Sequence, residues 1–328
     1  SGYPITPQTE ILEYLCWRMD EVGGVCVQTE SELAGVNMLF GAAAAGARAL
    51  TTTAGPGFSL KQEGISYLCS SDLPAVIVDV QRIGCGLGDI FMGQGDYWQL
   101  TRGGGHGDYH TLVLAPASVQ ESVELASEAF DLAEKYRHPV IMATDATIGQ
   151  MMEPVELPEM REHDMDKFDW AVRPRCEGEE QRAIWNRYWD WEDGGRKYPE
   201  YVLNKYTEME ENEQRWENFY TDDADIVIVA YGTSSRIAKS AVLRARKEGI
   251  KVGLLRPITL WPYPKNAFDQ LPHVKAFLDA EMNILGQMKD DIILADKNRR
   301  PVEFFGSYWD PINEFELAAK AREMAERY

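Results

Sequence analysis

Three observations predict an α/β protein with a doubly wound parallel sheet and a second, smaller α/β unit. Runs such as Ala75-Val76-Ile77-Val78 are apolar without interruption, as parallel strands buried on both faces are. In the first 150 residues these runs alternate with segments of helical periodicity. A fresh alternation begins at Asp225–Tyr231 (DIVIVAY), after a stretch in which the pattern breaks.

At the head of the chain, Pro4 and Pro7 hold the backbone extended and bar it from a helix until after Pro7. A helix is predicted over Thr9–Met19, where Ile11, Leu12, Leu15, Trp17 and Met19 are interleaved with Glu10, Glu13, Arg18 and Asp20. Strands follow at Gly24–Val27, Ala49–Thr53, Ala75–Val80, Thr111–Leu114 and Val140–Thr144. Helices are read at Ser31–Ala45, Ser59–Ser70 with Ser59 as its cap, and Val119–Tyr136.

From about Glu153 to Asp223 the periodicity is lost, yet five of nine tryptophans (Trp170, Trp185, Trp189, Trp191, Trp216) fall there among dense charges. Gly194-Gly195 and Pro199 add turns. So much aromatic surface fits an arm lying across the body or a partner, or else a packed loop region. The second unit then runs through a strand at Asp225–Tyr231, the turn Gly232-Thr233-Ser234-Ser235 and a helix to Gly249. Strands at Lys251–Arg256, Lys275–Ala280 and Pro301–Phe305 and a helix at Ile312–Arg327 complete it. The turn at a strand end is suited to cradling an anion, although a ligand is not expected there. The division is 1–152, an arm at 153–222, and 223–328.

With 328 residues there is room for two proper cores. Fifty-three acidic against 33 basic residues give a formal charge of −20, which, with no basic patch in the sequence, argues against a nucleic-acid surface. No apolar run approaches the roughly 18–20 residues that span a bilayer, and no charged-then-apolar leader is present. The chain opens at Ser1 without Met, so further residues are expected ahead of it. Cys16, Cys26, Cys69, Cys85 and Cys176 form no CxxC and no iron–sulfur spacing, which suits reduced thiols in the cytoplasm.

Several groups are candidates for chemistry. Glu30 and Glu32 stand where a short strand passes into a helix packed with small residues, Gly41 to Gly46. Taken alone, either is also a glutamate favoured by the helix dipole. Gly55-Pro56-Gly57-Phe58 permits close backbone approach to a ring or phosphate, and is equally a plain turn. Arg82 follows a buried strand at the carboxyl edge, where open α/β sheets bind ligands, and its fork matches a carboxylate. His106 sits among glycines in a loop; His110, His138, His163 and His273 lack partners for a metal site.

Tyr3–Pro7 (YPITP), Thr29–Gly35 (TESELAG), Gly41–Gly46 (GAAAAG), Gly55–Glu63 (GPGFSLKQE), Val80–Arg82 (VQR), Gln94–Asp96 (QGD) and Gly104–Tyr109 (GGHGDY) follow in order. Tyr231-Gly232-Thr233 and Arg256–Pro262 (RPITLWP) continue the series. Together they resemble the alpha-type, pyrimidine-binding subunit of the thiamine-diphosphate-dependent 2-oxoacid:ferredoxin oxidoreductases. The middle segment and compact length are most similar to the 3-methyl-2-oxobutanoate (branched-chain) type. The resemblance implies a thiamine diphosphate pyrimidine-binding domain followed by a transketolase C-terminal-like domain.

It further implies that Glu32, directly before Leu-Ala-Gly, is the catalytic carboxylate held against the aminopyrimidine ring. Gly55, Pro56, Gly57 and Phe58 would line the cofactor pocket; Arg82, assisted by Thr6, would grip the 2-oxoacid carboxylate. The reaction implied is coenzyme A-dependent oxidative decarboxylation, giving acyl-CoA, CO₂ and two electrons for ferredoxin. Another thiamine enzyme without clusters, or a non-catalytic assembly subunit, are the rivals.

Two departures matter. Ile83–Met92 (IGCGLGDIFM) replaces a common Gly-Pro-Ser-Thr-Gly run, and Leu87, Ile90, Phe91 and Met92 favour an apolar substrate side chain over 2-oxoglutarate. No Gly-Asp-Gly followed by a downstream Asn is present to hold Mg²⁺ and diphosphate. A beta-type subunit is therefore expected to supply that half, with a gamma-type subunit and a ferredoxin-like iron–sulfur subunit carrying the rest.

Overall fold

The computed structural model describes residues 1–160, 163–174, 178, 181–189, 191–193 and 195–328; Cys176 and Gly194 lie outside them. Among the described residues ten strands form two five-stranded sheets. In the first, β1 (Leu50–Thr53), β2 (Ala75–Gln81), β3 (Leu112–Leu114) and β4 (Pro139–Asp145) run parallel in the order β1-β2-β4-β3. All of β4 and all but Val78 of β2 are buried, because helices cover both faces. The register sets Thr53 beside Asp79 and Gln81 beside Asp145, so the ends of these strands share one edge.

The second sheet holds β5 (Trp216–Phe219), β6 (Ile226–Val229), β7 (Val252–Pro257), β9 (Ala276–Glu281) and β10 (Val302–Gly306), in the order β10-β9-β6-β7-β5 with β5 antiparallel. The tenth strand, β8 (Thr259–Trp261), leaves this unit and pairs antiparallel with β3 of the first sheet. Arg256–Pro262 is thus a strap between the sheets. Trp261 anchors it by stacking on His110, with centroids 4.7 Å apart and planes at 11°, while Tyr206 meets the indole edge-on.

Two buried side chains join the units. Gln94 donates to the Tyr231 carbonyl at 2.9 Å and accepts from Ser234 Oγ at 2.6 Å and the Met282 amide at 3.0 Å. Asp145 accepts from Thr233 Oγ1 at 2.6 Å and the Thr233 amide at 3.0 Å, and caps the helix Ala146–Gln150 through the Thr147 and Ile148 amides. The anion cradled by Gly232–Ser235, which is the first turn of the helix Gly232–Lys247, is therefore a carboxylate of this chain.

The arm lies on the body. The Val172 amide and the Arg173 guanidinium bond the Ala44 and Ala45 carbonyls at the end of the helix Glu32–Ala44, at 2.9 and 2.7 Å. Trp170 lies under Arg137, 4.5 Å from ring centroid to guanidinium. Asp72 holds Lys205 at 2.8 Å and Arg187 at 2.9 Å.

Three sequence expectations need correction. Gly24–Val27 forms no strand; only Gln28 bridges, to Gly2, because the segment lacks a long neighbour to pair with. Pro199 does not make a turn but stands in the first turn of a helix, Tyr198–Asn212, where its missing N–H costs nothing. Ser59 is not a cap: the helix begins three residues earlier, Pro56–Ser70, with Gly55 at the cap and at positive φ (+39°).

Candidate active site

At the carboxyl edge of the first sheet, β1 ends in Thr53 and the chain turns through Ala54-Gly55 into the helix Pro56–Ser70. Gly55 and Gly57 each leave room for a different side chain. A Cβ on Gly57 would stand 2.2 Å from Thr53 Oγ1 and 2.7 Å from Glu32 Oε1. One on Gly55 would stand 3.3 Å from both Cγ and Nε of Arg82. The loop thus separates a carboxylate from a guanidinium, and only glycine admits both contacts.

Glu32 opens the helix Glu32–Ala44, whose cap Ser31 accepts from the Ala34 amide at 3.2 Å. Its side chain is buried, and among the described residues no donor bonds its carboxylate. Glu30, by contrast, is exposed. Lys61 is a part of this site that sequence reasoning missed. Fully buried, its ammonium donates to the Glu32 carbonyl and to Thr51 Oγ1, both at 3.1 Å. Burial pulls its pKa down to about 8, against the opposing charge of Glu32. The signal was there in Leu60-Lys61-Gln62, a cation one helical turn past a glycine loop, but nothing in it says the lysine faces inward.

Arg82 is buried, and its backbone pairs with Met92. One terminal nitrogen donates to the Thr6 carbonyl at 2.8 Å and the other to the Leu87 carbonyl at 2.5 Å, while Nε has no partner among the described residues. Guanidinium has five N–H donors, so these two bonds fix its plane and leave donors for a carboxylate. Thr6 is accordingly brought to Arg82 through its carbonyl, with its side chain exposed. The Tyr3–Pro7 loop is itself pinned by Gln8, which donates to the Tyr3 carbonyl at 2.8 Å and accepts from Thr52 Oγ1 at 2.6 Å.

Behind Arg82 lie two buried carboxyls. Asp96 accepts from the Arg82 amide at 3.3 Å and from Gln99 Nε2 at 2.6 Å, and burial raises its pKa to about 6. Asp79 has no full hydrogen-bond partner among the described residues, and burial first and Asp96 second push its pKa well up. Gly55 and Gly57 are buried and Pro56 is half-buried, while the Phe58 side chain lies in the core and anchors the loop. Leu87, Ile90 and Phe91 are exposed on the loop that Arg82 holds, as is Cys85. His106 is exposed, and its carbonyl accepts from Ser66 Oγ.

Residues 1–218 match the family described as "Pyruvate flavodoxin/ferredoxin oxidoreductase, thiamine diP-bdg", and residues 224–308 match "Pyruvate:ferredoxin oxidoreductase core domain II". The chain is 48% identical to ketoisovalerate oxidoreductase subunit VorB of Methanothermobacter thermautotrophicus, over 99% of this chain and 92% of that one. It is 35% identical to 2-oxoglutarate synthase subunit KorA of Methanocaldococcus jannaschii, over 90% and 89%. In fold it is similar to the 2-oxoglutarate:ferredoxin oxidoreductase of Magnetococcus marinus, solved with 2-oxoglutarate, coenzyme A and succinyl-CoA bound. That match has a TM-score of 0.81 at 24% identity, covering 99% of this chain but only 61% of the longer one.

Proposed function

Because this chain belongs to the 2-oxoacid:ferredoxin oxidoreductases as an alpha-type subunit, we propose that it carries the pyrimidine-side half of a thiamine site for branched-chain 2-oxoacids. The reading rests on one observation above the rest: Glu32 and Arg82 face the same short loop from either side, through Gly57 and Gly55.

The residues fit the cofactor. Glu32 offers a carboxylate that no protein donor takes up among the described residues, beside a buried Thr53 hydroxyl that also lacks a partner. When bound, thiamine diphosphate supplies a nucleophilic carbon for the keto group and an electron sink as CO₂ departs. Glu32 holds a proton between its carboxylate and the ring nitrogen, and burial keeps water from competing for it. Lys61 fixes the Glu32 backbone and faces its charge. Arg82, its plane set by Thr6 and Leu87, orients the substrate carboxylate.

Substrate choice follows from the loop. The segment Ile83–Met92, held to Arg82 through the Leu87 carbonyl, exposes Leu87, Ile90 and Phe91 and carries no hydroxyl or cation, which favours a branched apolar side chain over a second carboxylate. A beta-type partner supplies the Mg²⁺ and diphosphate half; gamma-type and ferredoxin-like iron–sulfur subunits complete a cytoplasmic complex that passes electrons to ferredoxin. Among the described residues no helix is long and apolar enough to cross a membrane. The test is viologen reduction by the oxygen-free complex with coenzyme A across 2-oxoacids. Thiamine-dependent activity highest with 3-methyl-2-oxobutanoate is expected; activity confined to 2-oxoglutarate would refute the apolar-rim argument.

A further inference from the structure

Cys16 lies near the end of the helix Thr9–Arg18 that follows the Tyr3–Pro7 loop, and Cys26 lies on the segment that delivers Glu32. Their sulfurs are 3.0 Å apart and share a hydrogen bond. Sequence spacing hid this pair, since ten residues separate them and no CxxC exists.

A tight reversal creates the contact. The turn Met19–Val22 ends at Gly23 in the left-handed region (φ +71°), and the Gly24 amide returns to the Met19 carbonyl at 2.9 Å. The Met19 methyl packs over Gly24, at 2.2 Å from where a Cβ would stand. The return is then held by the Gly2 amide on the Val27 carbonyl at 3.1 Å. Cys16 is exposed and Cys26 partly so, whereas Cys69 is buried in the core. A disulfide needs about 2.05 Å between sulfurs, a closure of about 1 Å from the observed contact.

We propose that Cys16 and Cys26 form a redox couple that closes to an intramolecular disulfide when the chain meets a small-molecule disulfide. The exposed Cys16 thiolate attacks one sulfur of the oxidant and expels its other half as a thiolate. Cys26 then loses its proton to solvent and attacks the Cys16 sulfur, expelling the second half. Two protein thiols are oxidised by two electrons, and one disulfide is reduced to two thiols. Burial and the hydrogen bond to Cys16 push the Cys26 thiol up to about 11, which disfavours it as the first attacking thiolate. The product staples the helix behind Thr6 to the segment ahead of Glu32.

The complex, purified without oxygen, is treated with oxidised glutathione, then alkylated and digested with trypsin. The peptide ending at Arg18 and the peptide Met19–Arg48 are expected to be joined, two hydrogens lighter than their sum. Reduction should separate them, and Cys16→Ser should abolish the link. Cys26→Ser should trap a glutathione adduct on Cys16. Recovery of both cysteines as separate alkylated thiols, or as separate glutathione adducts, in the native sequence would overturn the proposal.

Discussion

Glu32 and Gly57 are in contact across the turn that ends β1: the space a Gly57 Cβ would occupy lies 2.7 Å from Glu32 Oε1. The glycine therefore sets where the carboxylate stands, and the carboxylate explains why that loop position has no side chain. Gly55, two residues earlier, has the same relation to Arg82.

Gly57→Ala is expected to displace Glu32 or the Thr53 hydroxyl. Overpacking of this kind costs about 1–3 kcal/mol, and misplacing a catalytic group by about 1 Å costs on the order of 100-fold in rate. Melting temperature and viologen reduction measured on the same complex should both fall, the rate far more.

Lys61 gives the site a pH dependence. Its pKa of about 8 means that it is charged at neutral pH and loses that charge as pH rises through 8, leaving Glu32 without its facing cation. An alkaline limb near pH 8 is expected in kcat, absent from the slower Lys61→Met enzyme. The stability sign is opposite. A lysine depressed from 10.5 is protonated more readily when unfolded, so its penalty on folding lessens as pH rises from about 8 toward 10.5.

Arg82→Lys keeps the charge but cannot bond the Thr6 and Leu87 carbonyls while presenting a fork to substrate. KM for the 2-oxoacid is expected to rise on the order of tenfold or more, the equivalent of about 1.4 kcal/mol. KM for coenzyme A should stay within about twofold in the same steady-state assays.

Thr233→Val tests the joint between the two sheets. It removes a 2.6 Å hydrogen bond to the buried Asp145, whose pKa burial already raises against four bonds that lower it. A charged hydrogen bond of this kind contributes about 1.5–3 kcal/mol. A lower melting temperature with unchanged kcat at 25 °C is expected, because neither residue borders Glu32 or Arg82.

The parallel strands were legible because β2 and β4 are buried on both faces and must be apolar along their length. β5 and β8 were not, since each is three or four residues long and exists only by pairing antiparallel with a strand already built. The helix Tyr198–Asn212 was hidden by its charges and by reading Pro199 as a break. At the site, Glu32, the glycines and Arg82 could be named from motif order, while Lys61, Asp79 and the Asp145–Thr233 latch could not. Burial of a polar side chain leaves no periodic trace in a sequence.

The most direct measurement is thiamine-dependent viologen reduction by the intact complex carrying Glu32→Ala, with 3-methyl-2-oxobutanoate and coenzyme A. A loss of at least ~100-fold, with assembly and melting temperature retained, is the expected result. Activity within a few-fold of the native complex would contradict the assignment of Glu32, and with it the reading of this chain as the half-site that holds the proton.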